Sequence, residues 1–222
     1  MISVAIDGPA GAGKSTLSRK AASELGFIYV DTGALYRAVG LKFSKLGYNT
    51  ELNCEVGEVL KDTRVDIRFV DGEQRVFLDE KDVSDDIRTP EASMMASAVS
   101  AKPEVRGFLL DMQRQLAKQN NVVMDGRDIG TVVLPDADVK IFLTASAEAR
   151  AQRRYKEQVE RGEDVTFEQV FASIQKRDEA DSSRATAPLK AAEDAVVVDT
   201  TDLNLEESVG VILGIIKEKL HG

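Results

Sequence analysis

Gly8-Pro9-Ala10-Gly11-Ala12-Gly13-Lys14-Ser15 fits the pattern G-x-x-x-x-G-K-[ST], and each residue type in it has a physical task. The glycines let the backbone curl until successive N–H groups converge on phosphate oxygens, and a helix opening at the lysine adds its positive end. Lys14 is placed to reach the β and γ phosphates of ATP, Ser15 to ligate Mg2+ directly, and Thr16 to hydrogen-bond a further phosphate oxygen. Switches, motors and kinases share such a loop, so alone it establishes nucleotide phosphates only.

Three further constellations carry chemistry. Asp31-Thr32-Gly33-Ala34-Leu35-Tyr36-Arg37 joins a strand end to a helix whose first turns offer a hydroxyl and an arginine, donors suited to a second phosphate. The plainer reading is a helix cap by Thr32 and a surface Arg37. In Val122-Val123-Met124-Asp125-Gly126-Arg127-Asp128 a strand delivers Asp125, which resembles a Walker B acid able to hold Mg2+ through water. Arg127 and Asp128 then follow at the carboxyl end, where open α/β sheets bind ligands; an Asp-Gly turn with a surface ion pair is the alternative. Arg177, Asp181 and Arg184 fall at i, i+4 and i+7 and share one helical face, with a solvated salt bridge as competitor. A regulatory GTPase needs N/T-K-x-D after a strand. The nearest string, Gln175-Lys176-Arg177-Asp178, fails in residue and context, and no L-S-G-G-Q transporter signature occurs.

Hydrophobic periodicity supplies the frame. Ile2, Val4 and Ile6 form a β-rich run before the loop, and a helical stretch follows from about Lys14 to Leu25. The pattern predicts a strand at Phe27 to Val30, a helix from about Ala34 to Leu46, and strands at Val122 to Met124, Lys140 to Leu143 and Ala195 to Val198. Continuously apolar strands with helices between them predict an α/β fold, its parallel sheet covered on both faces. Asn204 and Glu207 read as a capping box opening a last helix to about Leu220.

Two segments interrupt the rhythm. Val65, Ile67 and Phe69 alternate with polar residues, and Asp71-Gly72 precedes a second alternating run at Val76 and Leu78, which predicts a small antiparallel β insertion. Pro90 and Pro103 then open helices over 90–99 and 103–119. From Ala147 to Arg184, charged helices over 148–159 and 166–184 flank Gly162, and Thr166-x-x-Gln169 caps the second. With few apolar residues to bury it, this pair is expected to form a mobile helical lid, against the plainer alternative of a solvated hairpin. The expected division is core at 1–31, 106–146 and 185–222, an acceptor subdomain at 32–105, and the lid at 147–184.

Composition excludes whole classes. At 222 residues, 30% charged and 43% apolar, the chain is ordinary globular material for one domain with insertions or two small ones. The lone Cys54 cannot build a disulfide framework or a zinc site and is expected as a buried filler. The sole histidine, His221, is penultimate, where fraying is expected, so Ser-His, Cys-His and His-metal catalysis lose their essential part. Chemistry is left to Lys, Arg and Asp. A net charge of −9 repels polyanions and acidic membranes, leaving small-molecule nucleotides as partners of an expected monomer. Met1 to Asp7 reaches an acid too early for a signal peptide and no apolar run approaches about 18 residues, so a cytoplasmic address is expected. No repeat or low-complexity tract occurs.

At these residues the chain closely resembles bacterial cytidylate kinase: the loop, Asp-Thr-Gly-Ala-Leu-Tyr-Arg at 31–37, Asp-Gly-Arg-Asp-Ile-Gly-Thr-Val-Val at 125–133, and Arg-Asp-x-x-Asp-x-x-Arg at 177–184. The resemblance covers essentially the whole chain. It implies a P-loop kinase fold with a five-stranded parallel sheet, an enlarged acceptor domain and a mobile lid, and transfer of the γ-phosphoryl group of ATP to CMP or dCMP. By the same resemblance Thr32, Arg37 and Arg127 address the acceptor phosphate, and Ser97, Arg106 and Asp128 surround its base. Arg177 and Asp181 address the sugar, and Arg184 nears the phosphates as the lid shuts. Lys14, Arg127, Arg177 and Arg184 would be catalytic. Cytosine's amino donor and ring acceptors match a carboxylate beside an Arg or Ser donor, whereas uracil reverses two of those groups. A UMP or AMP kinase, or a nucleotide-dependent binding switch, are the remaining alternatives.

Overall fold

The computed structural model describes residues 1–221; Gly222 and the side chain of His221, where fraying is expected, lie outside the described part. In chain order the strands are β1 (Ser3–Asp7), β2 (Ile28–Asp31), β3 (Val65–Val70), β4 (Glu73–Leu78), β5 (Lys81–Asp82), β6 (Val122–Gly126), β7 (Val139–Thr144) and β8 (Val196–Asp199). The helices are α1 (Lys14–Leu25), α2 (Thr32–Lys45), α3 (Val56–Lys61), α4 (Pro90–Ser100), α5 (Pro103–Gln119), α6 (Ala147–Glu160), α7 (Phe167–Ser183) and α8 (Leu205–His221).

Among the described residues, five strands pair in parallel in the order β2-β6-β1-β7-β8. Alternation along β1 explains the two covered faces. Val4 and Ile6 join Leu17 and Ala21 of α1 and Ile212 and Ile216 of α8 in one buried cluster. Ala5 instead joins Val30, Met124 and Ala117 of α5 on the other side. β3, β4 and β5 form a separate antiparallel sheet around the Asp71-Gly72 turn. It packs with α2 to α5 over a further cluster that includes Leu35, Phe43, Val76 and Leu109.

The parallel sheet, the hairpin, both proline-led helices and both capping boxes stand where the sequence put them. Thr166 accepts from Gln169 N at 3.3 Å while Thr166 N donates to Gln169 at 2.9 Å, and Asn204 with Glu207 does the same at 3.0 and 2.9 Å. The helix cap near residue 32 differs: Asp31, not Thr32, is the cap of α2, accepting from Ala34 N at 3.0 Å. Cys54 is half-buried against the α2–α5 cluster rather than a core filler. The α6–α7 pair has more apolar glue than expected, since Ala151, Val170 and Ile174 cluster with Tyr155, Phe167 and Phe171. α3, β5 and a turn of π-helix at Ile129–Val133 have no forecast, being too short to show a period.

Candidate active site

β1 ends at Asp7 and the chain turns at Gly8, where an added Cβ would lie 1.9 Å from the Leu143 carbonyl oxygen of β7. Only glycine lets the loop leave the sheet so close to its neighbour. The loop closes on Gly13, the cap of α1, whose carbonyl accepts the first helical bond from Leu17 N. The N–H groups ahead of Leu17 therefore have no intrahelical acceptor, which is the condition for anion binding. Lys14 folds over this turn and its Nζ donates to the Pro9 carbonyl at 2.7 Å. Burial, with the Arg127 and Arg177 guanidinium groups nearby, pushes its pKa well below the usual lysine range.

β6 sets its carboxylate beside that lysine. Asp125 Oδ2 accepts from Ser15 Oγ at 2.8 Å, and Oδ1 accepts from Tyr29 Oη at 3.3 Å. Burial and the neighbouring Asp31 carboxylate push Asp125 up to about 6. Thr32 Oγ1 donates to the Asp125 carbonyl at 2.7 Å, tying the start of α2 to the end of β6.

The residues after β6 are held from β1. Asp7 accepts from the backbone N–H groups of Ile129 and Gly130 at 2.8 and 2.7 Å, pinning the π-helical turn that follows Arg127 and Asp128. Burial outweighs those two bonds and pushes Asp7 up to about 6. Asp128 pairs with Arg106 of α5, whose guanidinium also donates to the Ser100 carbonyl at 3.2 Å and lies 5.6 Å from the Tyr36 ring centroid. Arg127 Nε donates to Asp181 Oδ2 of α7 at 2.9 Å. Arg184 and Arg177 approach the same carboxylate at 3.8 and 4.0 Å. Burial works against the Asp181 carboxylate, but these three arginines hold it below its usual range. Arg37 pairs with Asp31 at 2.7 Å.

Lys14, Asp125, Thr32 and the paired arginines and carboxylates face one cavity of about 370 Å³, with Asp7 and Tyr29 behind its wall. Of the residues anticipated from sequence, Ala10, Gly11, Gly13, Lys14, Ser15, Thr16, Thr32, Arg37, Ser97, Arg106, Asp125, Arg127, Asp128, Arg177, Asp181 and Arg184 line it. Gly8, Pro9 and Ala12 of the same loop are buried and do not line it. Sequence reasoning passed over Arg153, Arg154 and Glu157 of α6, which also line it. Their positions relative to Arg150, at i+3, i+4 and i+7, mark one helical face and could have revealed them.

The cavity is locally positive in a negative chain. Eight basic side chains meet five acidic ones on its walls, against a net charge of −9 overall. Arg37 Nε, Arg177 Nε and Arg184 Nη2 are buried and have no hydrogen-bond partner among the described residues. Burial and the adjacent Arg127 push Arg177 down to about 10. Crowded cations with open donors lose mutual repulsion when a phosphate enters, so the arrangement selects anions.

A phosphate loop at the carboxyl edge of a parallel sheet, facing an arginine-lined cavity beneath a helical hairpin, defines a P-loop kinase. A solved structure of an uncharacterized protein from Eubacterium ventriosum shares the fold, with a TM-score of 0.53 at 12% identity over 98% of both chains. The chain belongs to the cytidylate kinase family, whose model matches residues 4–218. It is 54% identical to the cytidylate kinase of Caldicellulosiruptor bescii over 96% of this chain and 94% of the relative. It is 50% identical to that of Carboxydothermus hydrogenoformans over 97% of each.

Proposed function

We propose that this kinase transfers the γ-phosphoryl group of ATP directly to CMP or dCMP, giving ADP and the corresponding diphosphate. The observation that carries it is that Lys14, Arg127 and Arg177 line one cavity where two polyanions would meet; burial first, and their mutual repulsion second, push the Lys14 and Arg177 pKa values down. In this reading the loop from Gly8 to Thr16 cradles ATP. Thr32, Arg37 and Arg127 take the acceptor phosphate, Ser97, Arg106 and Asp128 take its base, and Arg177 and Asp181 its sugar. Arg184 and Lys14 face the transferred group. The acceptor phosphate oxygen is itself the nucleophile, so no covalent enzyme intermediate is needed, and positioning plus charge neutralisation supply the rate.

Ser15 and Asp125 fit Mg2+. They are adjacent hard oxygen donors, and Asp125 is a buried carboxylate whose oxygens accept only from the Ser15 and Tyr29 hydroxyls among the described residues. No cluster of three acidic, histidine or cysteine side chains that could hold a metal occurs among the described residues, which suits an ion bound mainly by phosphate and water. When bound, the ion would neutralise charge on the β and γ phosphates.

The reading includes the division into core (1–31, 106–146, 185–222), acceptor subdomain (32–105) and lid (147–184). It also takes the protein as a cytoplasmic monomer with small-molecule nucleotides as partners and neither nucleic acid nor membrane. Among the described residues no helix is long and apolar enough to cross a membrane. Mixing protein, ATP, Mg2+ and a panel of monophosphates tests the function. ADP and CDP formed fastest with CMP or dCMP are expected; faster turnover of UMP or AMP would overturn the acceptor, and no acceptor turnover at all the enzyme.

A further inference from the structure

Arg150 of α6 stands outside every role assigned above, yet it is among the most committed side chains in the protein. It is 4% exposed, and its guanidinium touches three separate parts of the chain. Nε donates to the Ala145 carbonyl just after β7 at 2.9 Å. Nη1 donates to the Ala10 carbonyl in the phosphate loop at 3.0 Å. A two-pronged pair reaches Asp178 of α7 at 3.0 and 2.6 Å.

Packing at Gly11 points the same way. A Cβ there would lie 3.2 Å from Arg150 Cβ and 3.6 Å from Ile174 Cδ1, so both helices of the hairpin press on the loop at a residue with no side chain. Asp178 directly follows Arg177 and lies one helical turn before Asp181, so whatever fixes Asp178 fixes the face that carries both.

We infer that Arg150, gripped by Asp178, is a positioning residue that holds α7 in register with the phosphate loop, so that Arg177, Asp181 and Arg184 and the loop act as one unit. A guanidinium fork on a carboxylate fixes direction as well as distance, and a lysine in its place would supply charge without that geometry. The inference rests on the proposed function, because it takes α6 and α7 as the lid over the transferred group. Without the fork, the hairpin spends more time away from the loop. Transfer to CMP slows, and water gains access to the γ-phosphoryl group, which then leaves to water as inorganic phosphate with ADP as the second product.

Asp178 sits at the solvent edge of the pair, its side chain 27% exposed, so Asp178→Asn is the variant of choice. Its kcat for CMP is expected to fall about tenfold with less than about a threefold change in the KM for CMP. ATP hydrolysis without acceptor is expected to rise several-fold relative to transfer in protein that is still folded at the assay temperature. Arg150→Lys is expected to shift the same ratio, and the double variant to be no worse than the worse single one, because the two side chains act through one contact. Should Asp178→Asn lower the melting temperature, Asp178→Glu keeps the carboxylate and is expected to restore the wild-type ratio. An unchanged ratio of hydrolysis to transfer in folded Asp178→Asn, or additive losses in the double variant, would overturn the positioning role while leaving the kinase reading intact. A wild-type protein that turns over no CMP would remove both.

Discussion

The two anion-facing sides of the cavity are built on different physical principles. The phosphate loop is a run of nearly contiguous residues whose donors are backbone N–H groups, fixed by the Gly8 turn and the start of α1. The opposite wall is assembled from side chains of α2, α5, the segment after β6, and α7, and these hold one another: Asp31 with Arg37, Arg106 with Asp128, Arg127 with Asp181. A backbone cradle can accept phosphate without surrendering an internal bond. A wall of paired charges must exchange its partners for the ligand, so its affinity is a difference between two networks and can discriminate between ligands.

Lys14→Ala strikes the first side and should have the largest effect. Loss of the charge over the β and γ phosphates is expected to lower CMP phosphorylation about 10³-fold. The fold should survive, because burial, and then the neighbouring Arg127 and Arg177, already disfavour the charged lysine. A melt unchanged or slightly raised, beside a collapsed rate in an ADP-release assay, is the expected pair of results. Near-normal turnover would break the link between loop and chemistry.

Asp7 joins the two sides, since it stands at the end of β1 yet holds the backbone beyond Asp128. In the folded chain its proton is retained up to about pH 6, while in the unfolded chain it is lost near the ordinary value of 3.8. Between those values the native state binds more protons, so this carboxyl makes stability fall as pH rises through the window and level off above it. Asp128 and Lys14 face it, the first pushing the same way as burial and the second opposing. In Asp7→Asn that titration is gone. The stability of wild type minus variant, from urea unfolding, is expected to drop by up to about 3 kcal/mol between pH 4 and pH 7. A difference flat with pH would mean that the carboxyl ionises freely in the fold.

The same contrast explains what was legible in the sequence. The loop, its strand and its helix are local, so eight adjacent residues and a periodicity announce them. Pro90, Pro103, Thr166 and Asn204 announce their helices because capping chemistry acts within one turn. That Arg37, Arg127 and Arg184 share a cavity depends on where distant elements pack, and the family resemblance, more than any local pattern, supplied it. Resemblance and periodicity both passed over Asp7, whose partners lie more than a hundred residues away, and Arg150, which looks like one more charge on a charged helix. The Asp31 cap was hidden because Thr32 beside it is also a capping type, although aspartate is the stronger one.

Asp128→Asn strikes the second side and should be the smaller and more selective lesion. The amide oxygen can still accept from Arg106, so the buried guanidinium is not stranded, but the full negative charge that the proposed function sets against the base edge is lost. The KM for CMP is expected to rise roughly ten- to thirty-fold, which is about 1.5–2 kcal/mol, with ATP hydrolysis in the absence of acceptor nearly unchanged. An asparagine also presents N–H donors that a carboxylate lacks, and those can meet the uracil carbonyl that wild-type Asp128 repels. Discrimination of CMP against UMP should therefore shrink by more than the loss with CMP alone accounts for. If hydrolysis and transfer fall together, Asp128 supports the loop rather than reads the acceptor, and the division between a fixed side and an exchanging side has to be redrawn at β6.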